Sequence, residues 1–387
     1  MCQASRKVIG IVFISSISFF LLYLIAVDSS LQPKFLLDTF ESINLGKIAF
    51  AKLNRTNLTT KTDKLSEKSI RRVIEPDRIK LNPITKTYEV DGKPILWQYW
   101  HDDSDIPLYV RLLIEAMQCR NPELHIILVH DSTIRHYLPD MNISEEAFEN
   151  LSSNHRSDVF RVHIMARYGG AYADVDTLAL DKLIVWYRQL SKYDFVTADW
   201  NEEVTAVSAI GPARPGTSLF KLWANSQRKI IEKENNFWWG IFGPGTMGDL
   251  KKEILSNRTT YLGINGPKTV GQFVGPGYAY KPTILFEEIE KDILPLTAAP
   301  YLFIHHSQLK SVVWNMTTVE ELMPRKATLY SAFVGCALLD CWSKYELAIE
   351  NNLVPDSSWV NASEVMQFLK RIDHELCEKI KKRKCDK

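Results

Sequence analysis

The sequence lacks the compositional biases that mark unusual classes of protein. Its 387 residues include only 17 glycines and 17 prolines, and 45% of the residues are hydrophobic. These values exclude collagen-like and disordered chains. Neither sign of charge prevails, because 47 Lys and Arg residues are balanced by 46 Asp and Glu residues. A nucleic-acid-binding protein typically carries a basic excess, so a nucleic-acid partner is not expected.

Internal repeats and zinc-binding cysteine spacings are absent as well. No segment recurs at a fixed period, and the cysteines beyond residue 100 do not follow a zinc-site pattern. An oxidising compartment would allow disulfides among these five cysteines, and their odd number leaves at least one thiol over. They are Cys119, Cys336, Cys341, Cys377 and Cys385.

One long apolar run is present, over residues 8–27, and it contains no charged residue. About twenty helical residues match a hydrocarbon core of about 30 Å. Arg6 and Lys7 precede the run and Asp28 follows it. The positive-inside rule therefore predicts a cytosolic tail over residues 1–7, a transmembrane signal anchor over residues 8–27 and a lumenal remainder. A cleaved signal peptide is the alternative, but its apolar region is usually shorter and ends at small residues.

Glycosylation acceptors support a lumenal destination. Seven Asn-x-Ser/Thr sequons follow the apolar run, and this density is typical of a chain in the secretory pathway. The acceptors are Asn54, Asn57, Asn142, Asn150, Asn257, Asn315 and Asn361.

The rest of the chain divides into three predicted segments. Residues 28–90 are rich in Lys, Thr, Ser and Asn and are interpreted as a stem. Residues 91–330 are predicted to form the catalytic domain, and residues 331–387 a C-terminal helical extension. A parallel α/β architecture is expected because a strand, a helix and a second strand follow one another at the start of the domain. These elements are predicted at 95–99, 107–119 and 125–129.

A second group of elements leads to the most informative part of the sequence. The pattern predicts a helix over 157–168, with Ser157 as N-cap and Gly169-Gly170 as its stop. A strand with an acidic turn inside it is expected over 171–180. Later strands are predicted at 195–198 and 205–210, and a further helix at 219–234.

Two aspartates of this segment, Asp174 and Asp176, are candidate metal ligands. Residues two apart on an extended strand point to one face, so the two carboxylates are expected to converge while Val175 faces the core. Paired carboxylates provide the hard oxygen ligands that suit Mg²⁺ or Mn²⁺. Gly169 and Gly170 are expected to bring the backbone close to a ligand. A solvent-facing acidic turn is the competing interpretation, and the short Asp-Val-Asp motif alone favours it.

The preceding helix adds Asp158 and Arg161, which lie on the same side at positions i and i+3. An aspartate and an arginine aimed at a metal-binding carboxylate pair have the chemistry to bind sugar hydroxyls and a diphosphate. The alternative is an ordinary surface ion pair, which contributes about 0.3–0.5 kcal/mol.

The stretch as a whole resembles a known family signature. Residues 156–180, RSDVFRVHIMARYGGAYADVDTLAL, resemble the motif of the DxD sugar-transferase superfamily. That superfamily includes yeast Golgi α-mannosyltransferases, α-1,4-galactosyltransferase and the clostridial glucosylating toxins. Residues 94–131 are most similar to its capsular polysaccharide synthesis protein branch.

The resemblance implies a fold and a set of site residues. The fold would be the GT-A type, an α/β nucleotide-sugar transferase fold with a Rossmann-like half, here preceded by one transmembrane helix. Asp174 and Asp176 would hold Mn²⁺ or Mg²⁺ on the donor diphosphate. Asp158 and Arg161 would contact the sugar and ribose of the donor, and these four residues form the predicted catalytic set.

Further binding residues follow from the same resemblance. Trp100 would stack on the nucleobase, Tyr172 would line the nucleotide-sugar site, and Trp314 would cover the pocket. His305 or His306 would complete the metal shell. Core packing is the alternative for Trp100 and for one of the two histidines. Trp97 is expected in the core, and the loop GPGTM at 243–247 is similar to a Gly-Pro loop near the acceptor.

These implications define the expected function. The chain would be a single-pass type II Golgi membrane protein whose lumenal domain transfers a hexose from a UDP- or GDP-sugar to a glycan or glycolipid. The resemblance implies metal dependence and retention of the sugar's configuration. Two alternatives remain open at this point: a catalytically silent carbohydrate-binding or scaffold protein on the same fold, and a sugar-phosphate transferase.

Overall fold

The computed structural model describes twelve stretches of the chain between residues 73 and 382. The predicted cytosolic tail, the anchor and most of the stem lie outside these stretches. None of the described helices is both long and apolar enough to cross a membrane. The described stretches are 73–102, 106–180, 182–199, 205–233, 236–250, 272–274, 278–279, 301–303, 313, 316–324, 328–351 and 359–382.

Eleven strands of the described stretches form two sheets. They are β1 (Ile79–Leu81), β2 (Tyr88–Val90), β3 (Lys93–Tyr99), β4 (His125–Val129), β5 (Gly170–Ala173), β6 (Thr177–Ala179), β7 (Phe195–Asp199), β8 (Thr205–Ala213), β9 (Gln272–Val274), β10 (Tyr278–Ala279) and β11 (Tyr301–Phe303). The larger sheet has the order β1-β2-β3-β5-β8-β7-β9, with β4 also paired to β3, and the smaller sheet has the order β10-β11-β6.

Eleven α-helices of the described stretches accompany the sheets. They are α1 (Leu108–Arg120), α2 (Ile134–Tyr137), α3 (Glu145–Glu149), α4 (Ser153–Tyr168), α5 (Ile184–Tyr187), α6 (Ser218–Lys233), α7 (Val319–Leu322), α8 (Leu329–Leu338), α9 (Trp342–Glu350), α10 (Ala362–Leu369) and α11 (His374–Lys382). A π-helical turn covers Ile241–Gly245.

The parallel centre of the large sheet consists of β4, β3 and β5. Strand β3 pairs in parallel with β4 on one side and with β5 on the other. Helix α1 connects β3 to β4, and α4 leads into β5. Strands β8 and β7 extend the sheet in antiparallel pairs. The predicted mixed α/β architecture with parallel strands is therefore confirmed.

The two glycines after α4 make room for backbone rather than for a ligand. Gly169 and Gly170 have φ angles of 64° and 82°, which L side chains rarely adopt. A Cβ at Gly169 would lie 2.4 Å from the carbonyl oxygen of Ala213, and a Cβ at Gly170 would lie 2.6 Å from that of Ile95. The close approach predicted for these glycines is thus to the neighbouring strands β8 and β3.

Two helices differ from their sequence-based descriptions. Helix α4 begins at Ser153, and Ser152 is its N-cap, whose Oγ accepts a hydrogen bond from the backbone N–H of His155. The predicted N-cap, Ser157, lies within the helix. Helix α1 was predicted at 107–119 and spans Leu108–Arg120, and ten of its thirteen residues are buried. It packs between α8 and β6 and therefore has no broad solvent face.

Described elements on both sides of residues 91–330 pack with the domain predicted there. It begins at least as early as Ile79, because β1 and β2 form a hairpin that continues into β3. The C-terminal helices share one hydrophobic core with α1. Two disulfides reinforce this core, Cys119–Cys341 and Cys336–Cys377. Cys385 lies outside the described stretches.

One buried carboxylate, that of Glu115, ties α1 to the C-terminal region. Glu115 is fully buried. Its Oε1 accepts hydrogen bonds from Lys344 Nζ at 2.8 Å and Tyr345 Oη at 3.0 Å, and its Oε2 accepts one from the Trp359 backbone N–H at 2.9 Å. A buried charge is tolerated only where such partners satisfy it.

We expect Glu115→Ala to lower the free energy of unfolding by about 2–4 kcal/mol, because the substitution leaves the buried donors of Tyr345 and Trp359 without their acceptor and removes the ion pair of the partly exposed Lys344. Glu115→Gln should cost less, since an amide oxygen still accepts hydrogen bonds. Urea unfolding followed by fluorescence measures both values. The exposed neighbour Glu346 provides the control, and Glu346→Ala should change stability by less than about 0.5 kcal/mol. Equal losses for Glu115→Ala and Glu346→Ala would contradict the assignment.

Candidate active site at the carboxyl edge of the parallel strands

The carboxyl ends of β3, β4 and β5 meet at one edge of the sheet. Trp100 follows β3, His130 follows β4 and Asp174 follows β5. The Trp100 backbone N–H donates to the carbonyl oxygen of Val129 at 3.0 Å, and His130 Nδ1 lies 3.2 Å from the carbonyl oxygen of Trp100. The chain leaves β3 toward β4 on one side and returns to β5 on the other, and α/β sheets bind ligands at such a switch point.

Arg161 lies at the centre of the predicted site. Its guanidinium is 3.2 Å from Asp158 Oδ1 and 2.8 Å from Asp174 Oδ1. It also donates to Ser157 Oγ at 3.0 Å, and its Cζ lies 4.9 Å from the centre of the Tyr172 ring. The structure thus brings together four of the residues that the sequence indicated: Asp158, Arg161, Tyr172 and Asp174.

A second hydrogen bond fixes the Asp174 carboxylate. The Tyr172 hydroxyl donates to Asp174 Oδ1 at 2.6 Å and lies 2.9 Å from Ser157 Oγ. Tyr172 is fully buried, and this desolvation, together with the charge of Asp174, raises its pKa well above the usual value. The phenol therefore stays protonated and acts as a donor. Asp174 Oδ1 is held by Tyr172 and Arg161 together.

The two candidate metal ligands, Asp174 and Asp176, do not lie on one extended strand. Asp174 follows the last residue of β5, and the backbone N–H of Thr177 donates to the Asp174 carbonyl at 3.0 Å. Val175 and Asp176 occupy the turn because the chain passes here from the large sheet into β6 of the small sheet. The expected extended geometry is therefore wrong. Val175 is buried as predicted, whereas both carboxylates are only half-buried.

Burial alters the acid–base behaviour of Asp158. The residue is 7% exposed. Burial raises its pKa to about 7, the Arg161 charge opposes this rise, and the Asp174 charge adds to it. At neutral pH the group is therefore a mixture of carboxylate and carboxylic acid. It can accept a hydrogen bond in both forms and donate one when protonated.

The donor set at the turn suits a hard divalent cation. Mg²⁺ and similar ions are usually held by one or two carboxylates, with water and phosphate oxygens completing the shell. Asp174 and Asp176 are two half-buried carboxylates separated by one residue at this turn. In the described stretches, three metal-ligating side chains come together only at Glu115, Cys119 and Cys341, and these two cysteines form a disulfide. The predicted ligands His305 and His306 lie outside the described stretches.

The tryptophans differ in their surroundings. Trp97 is fully buried and donates from Nε1 to the carbonyl oxygen of Gly169 at 3.0 Å, as expected for a core residue. Trp100 lies at the carboxyl edge but is only 6% exposed, and its ring is tilted against His101 at 5.0 Å. It therefore packs into the core here and presents little open face. Trp314, the predicted cover of the pocket, is outside the described stretches.

Asp158 is supported by contacts that were not predicted from the sequence. A Cβ at Gly243 would lie 2.8 Å from Asp158 Oδ1, so this glycine lets the π-helical turn approach the carboxyl group. Gln227 of α6 is fully buried and donates to the carbonyl oxygens of Asp158 at 3.0 Å and Phe242 at 2.8 Å. The Gly-Pro loop was visible as a motif, but a single glutamine on a helix carries no such signal.

Comparison with known proteins gives a family match. Among curated proteins, no sequence match is found. One similar solved structure is a PaToxG glycosyltransferase, with a TM-score of 0.34 and 11% identity over 45% of this chain and 74% of that chain. Residues 47–238, about half of the chain, match the capsular polysaccharide synthesis protein family. This match includes the Arg161 cluster and confirms the resemblance to the capsular polysaccharide synthesis proteins that residues 94–131 indicated.

Proposed function

We propose that the protein is a metal-dependent glycosyltransferase that moves a hexose from a UDP- or GDP-sugar to a glycan or glycolipid acceptor. One observation carries the proposal: Arg161 joins Asp158 and Asp174 at the carboxyl edge of the parallel strands. The match to the capsular polysaccharide synthesis family supports glycosyl transfer. The parallel centre of the sheet, with its switch point, supports a GT-A type fold with a Rossmann-like half.

The proposed reaction needs negative charge stabilised on the departing diphosphate. A divalent cation held by Asp174 and Asp176 would supply this stabilisation. Arg161 is 4% exposed and lies between two carboxylates. Its first task is therefore to reduce the repulsion between Asp158 and Asp174 and to hold Asp174 in one orientation. Asp158, as a group that both accepts and donates hydrogen bonds near neutral pH, suits the hydroxyls of the donor sugar.

The compartment and the stereochemistry belong to the same proposal. We place the catalytic domain in the Golgi lumen, behind a type II anchor over residues 8–27. The two disulfides support an oxidising compartment, and the sequons agree with it. We infer that the configuration of the transferred sugar is retained, because residues 156–180 resemble a superfamily of retaining transferases.

We expect Asp174→Asn and Asp176→Asn each to lower nucleotide-sugar turnover by about 10²-fold or more, because each substitution removes a negative ligand of the cation that stabilises the leaving group. The measurement is hydrolysis of a panel of UDP- and GDP-sugars by the full-length protein with Mn²⁺. Chelation by EDTA should abolish the wild-type activity, and added Mn²⁺ should restore it.

Asp140 offers a matched control for these variants. It is paired with Arg167 near the C-terminal end of α4 and its side chain is 72% exposed. Asp140→Asn should therefore retain wild-type turnover. Undiminished turnover in Asp174→Asn or Asp176→Asn would reject the metal role. Isothermal titration of the wild type with UDP or GDP in the presence of Mn²⁺ distinguishes the two functions. An enzyme should bind one of the nucleotides together with Mn²⁺, whereas a scaffold need not bind either nucleotide.

We expect the Asp158 carboxyl group to make stability fall as pH rises between about 4 and 7. Its pKa is about 7 in the folded protein and 3.8 as the reference value, so in this range the folded state keeps a proton that the unfolded state has lost. Asp158→Asn removes this titration. Relative to Asp158→Asn, the unfolding free energy of the wild type should therefore decrease by about 1 kcal/mol for each pH unit of increase. Urea unfolding at pH 5 and pH 7 measures it, and a pH-independent difference would contradict the raised pKa.

A further inference from the structure

Two consecutive tryptophans next to the candidate site are largely exposed. Trp238 and Trp239 are 60% and 65% exposed, and among the large hydrophobic side chains exposed in the described stretches they are the only aromatic ones. Tryptophan has the largest apolar surface of any side chain, and folded proteins usually cover most of it. Contiguous exposed apolar surface of this kind commonly marks a binding site.

The tryptophan pair is attached to the helix that carries Asp158. His155 lies one turn before Asp158 on α4, at the i, i+3 spacing that places both on one side of the helix. Burial lowers the pKa of His155, and hydrogen bonds to the backbone of Trp238 and Trp239 partly offset this. The His155 ring also makes an edge contact with Phe242 at 5.2 Å. The backbone beneath the tryptophans is therefore fixed to the same helix face as the candidate site.

Glycines hold the Trp238 ring in place. A Cβ at Gly240 would lie 2.4 Å from Trp238 Cζ3, and a Cβ at Gly245 would lie 2.7 Å from Trp238 Cζ2. Gly240 has φ −99° and ψ 6°, a conformation open to other residues, so its backbone does not require glycine. Glycine is needed at this position because a side chain would collide with the six-membered ring of Trp238. The loop that seats this ring also touches Asp158 through Gly243.

The geometry points to an acceptor subsite: we propose that Trp238 and Trp239 bind a pyranose ring of the glycan or glycolipid acceptor by stacking against its C–H face. This inference rests on the proposed function. The face of an aromatic ring carries partial negative charge and attracts the weakly positive C–H groups of a sugar. A tryptophan has few rotatable bonds, so it provides this contact area at a low entropic cost.

A lipid surface fits the same segment less well. Helices and loops that bind anionic membranes usually combine aromatic residues with Lys or Arg. In the sequence, Lys233 precedes the tryptophans between Glu232 and Glu234, and the next cationic residues, Lys251 and Lys252, follow more than about ten residues later. No cluster of Lys or Arg is thus adjacent in sequence to the tryptophan pair to draw it to an anionic bilayer, whereas sugar stacking needs none.

Saturation-transfer NMR tests the subsite without nucleotide or chemistry. The probes are methyl α- and β-glycosides of glucose, galactose and mannose, added to the full-length protein in a detergent that has no sugar headgroup. Wild type should transfer saturation to the ring C–H protons of at least one glycoside. The double variant Trp238→Ala/Trp239→Ala should lose this signal at least fivefold, and Trp238→Phe/Trp239→Phe should keep at least half of it.

Two further variants separate stacking from a general loss of structure. Leu347 is 59% exposed on α9, and Leu347→Ala should bind glycosides like the wild type. Gly240→Ala introduces a methyl group where Trp238 now lies, so it should lower the glycoside signal at least threefold while near-ultraviolet circular dichroism still reports a folded protein.

Two results would overturn the acceptor subsite: wild type binds none of the glycosides, or the double alanine variant binds them equally well. Quenching of wild-type tryptophan fluorescence by brominated lipids in proteoliposomes, lost in the double variant and accompanied by no glycoside binding, would assign the pair to the membrane instead. Because the NMR measurement contains no donor, a wild type that binds glycosides yet hydrolyses no nucleotide sugar would reject the transferase and leave the stacking site established.

Discussion

The bridge from Arg161 to Asp158 and Asp174 is the interaction on which the candidate site depends. Three carboxylates lie on or beside the carboxyl edge, and without a nearby cation two of them would repel each other in a poorly solvated space. Arg161 reaches Asp158 and Asp174 within 3.2 Å and 2.8 Å. It therefore makes a carboxylate-rich edge compatible with a stable fold.

Support for this bridge comes from elements far apart in the sequence. Tyr172 on β5 donates to Asp174, and Gln227 on α6 donates to the backbone of Asp158. Gly243 lets the π-helical turn press against the Asp158 carboxyl group. Each contact restricts one aspartate from a different direction. The site is thus held by the packing of α4, α6 and β5 together, which preorganises its charges before any ligand arrives.

The sequence predicted the parts of the site that lie close together along the chain. The i, i+3 spacing of Asp158 and Arg161 predicted that both lie on one side of a helix, and short apolar runs predicted strands β3 and β4. An acidic turn was expected within residues 171–180, but the change from one sheet to the other at this turn was not predictable, because it depends on the distant partner β11. Gln227 was missed for the same reason, and of the two interpretations left open for Trp100 the structure favours core packing. Local patterns fix periodicity, whereas distant segments decide burial.

Helix α4 connects the proposed acceptor subsite to the proposed cation site. His155, Asp158 and Arg161 follow one another at intervals of three residues, so each lies about one turn beyond the last. His155 holds the backbone below Trp238 and Trp239, Asp158 meets Gly243, and Arg161 meets Asp174. A single rigid helix thus sets the spacing between the proposed acceptor subsite and the proposed cation site. Movement of the Gly-Pro loop would displace the tryptophan pair and leave the proposed cation site in place.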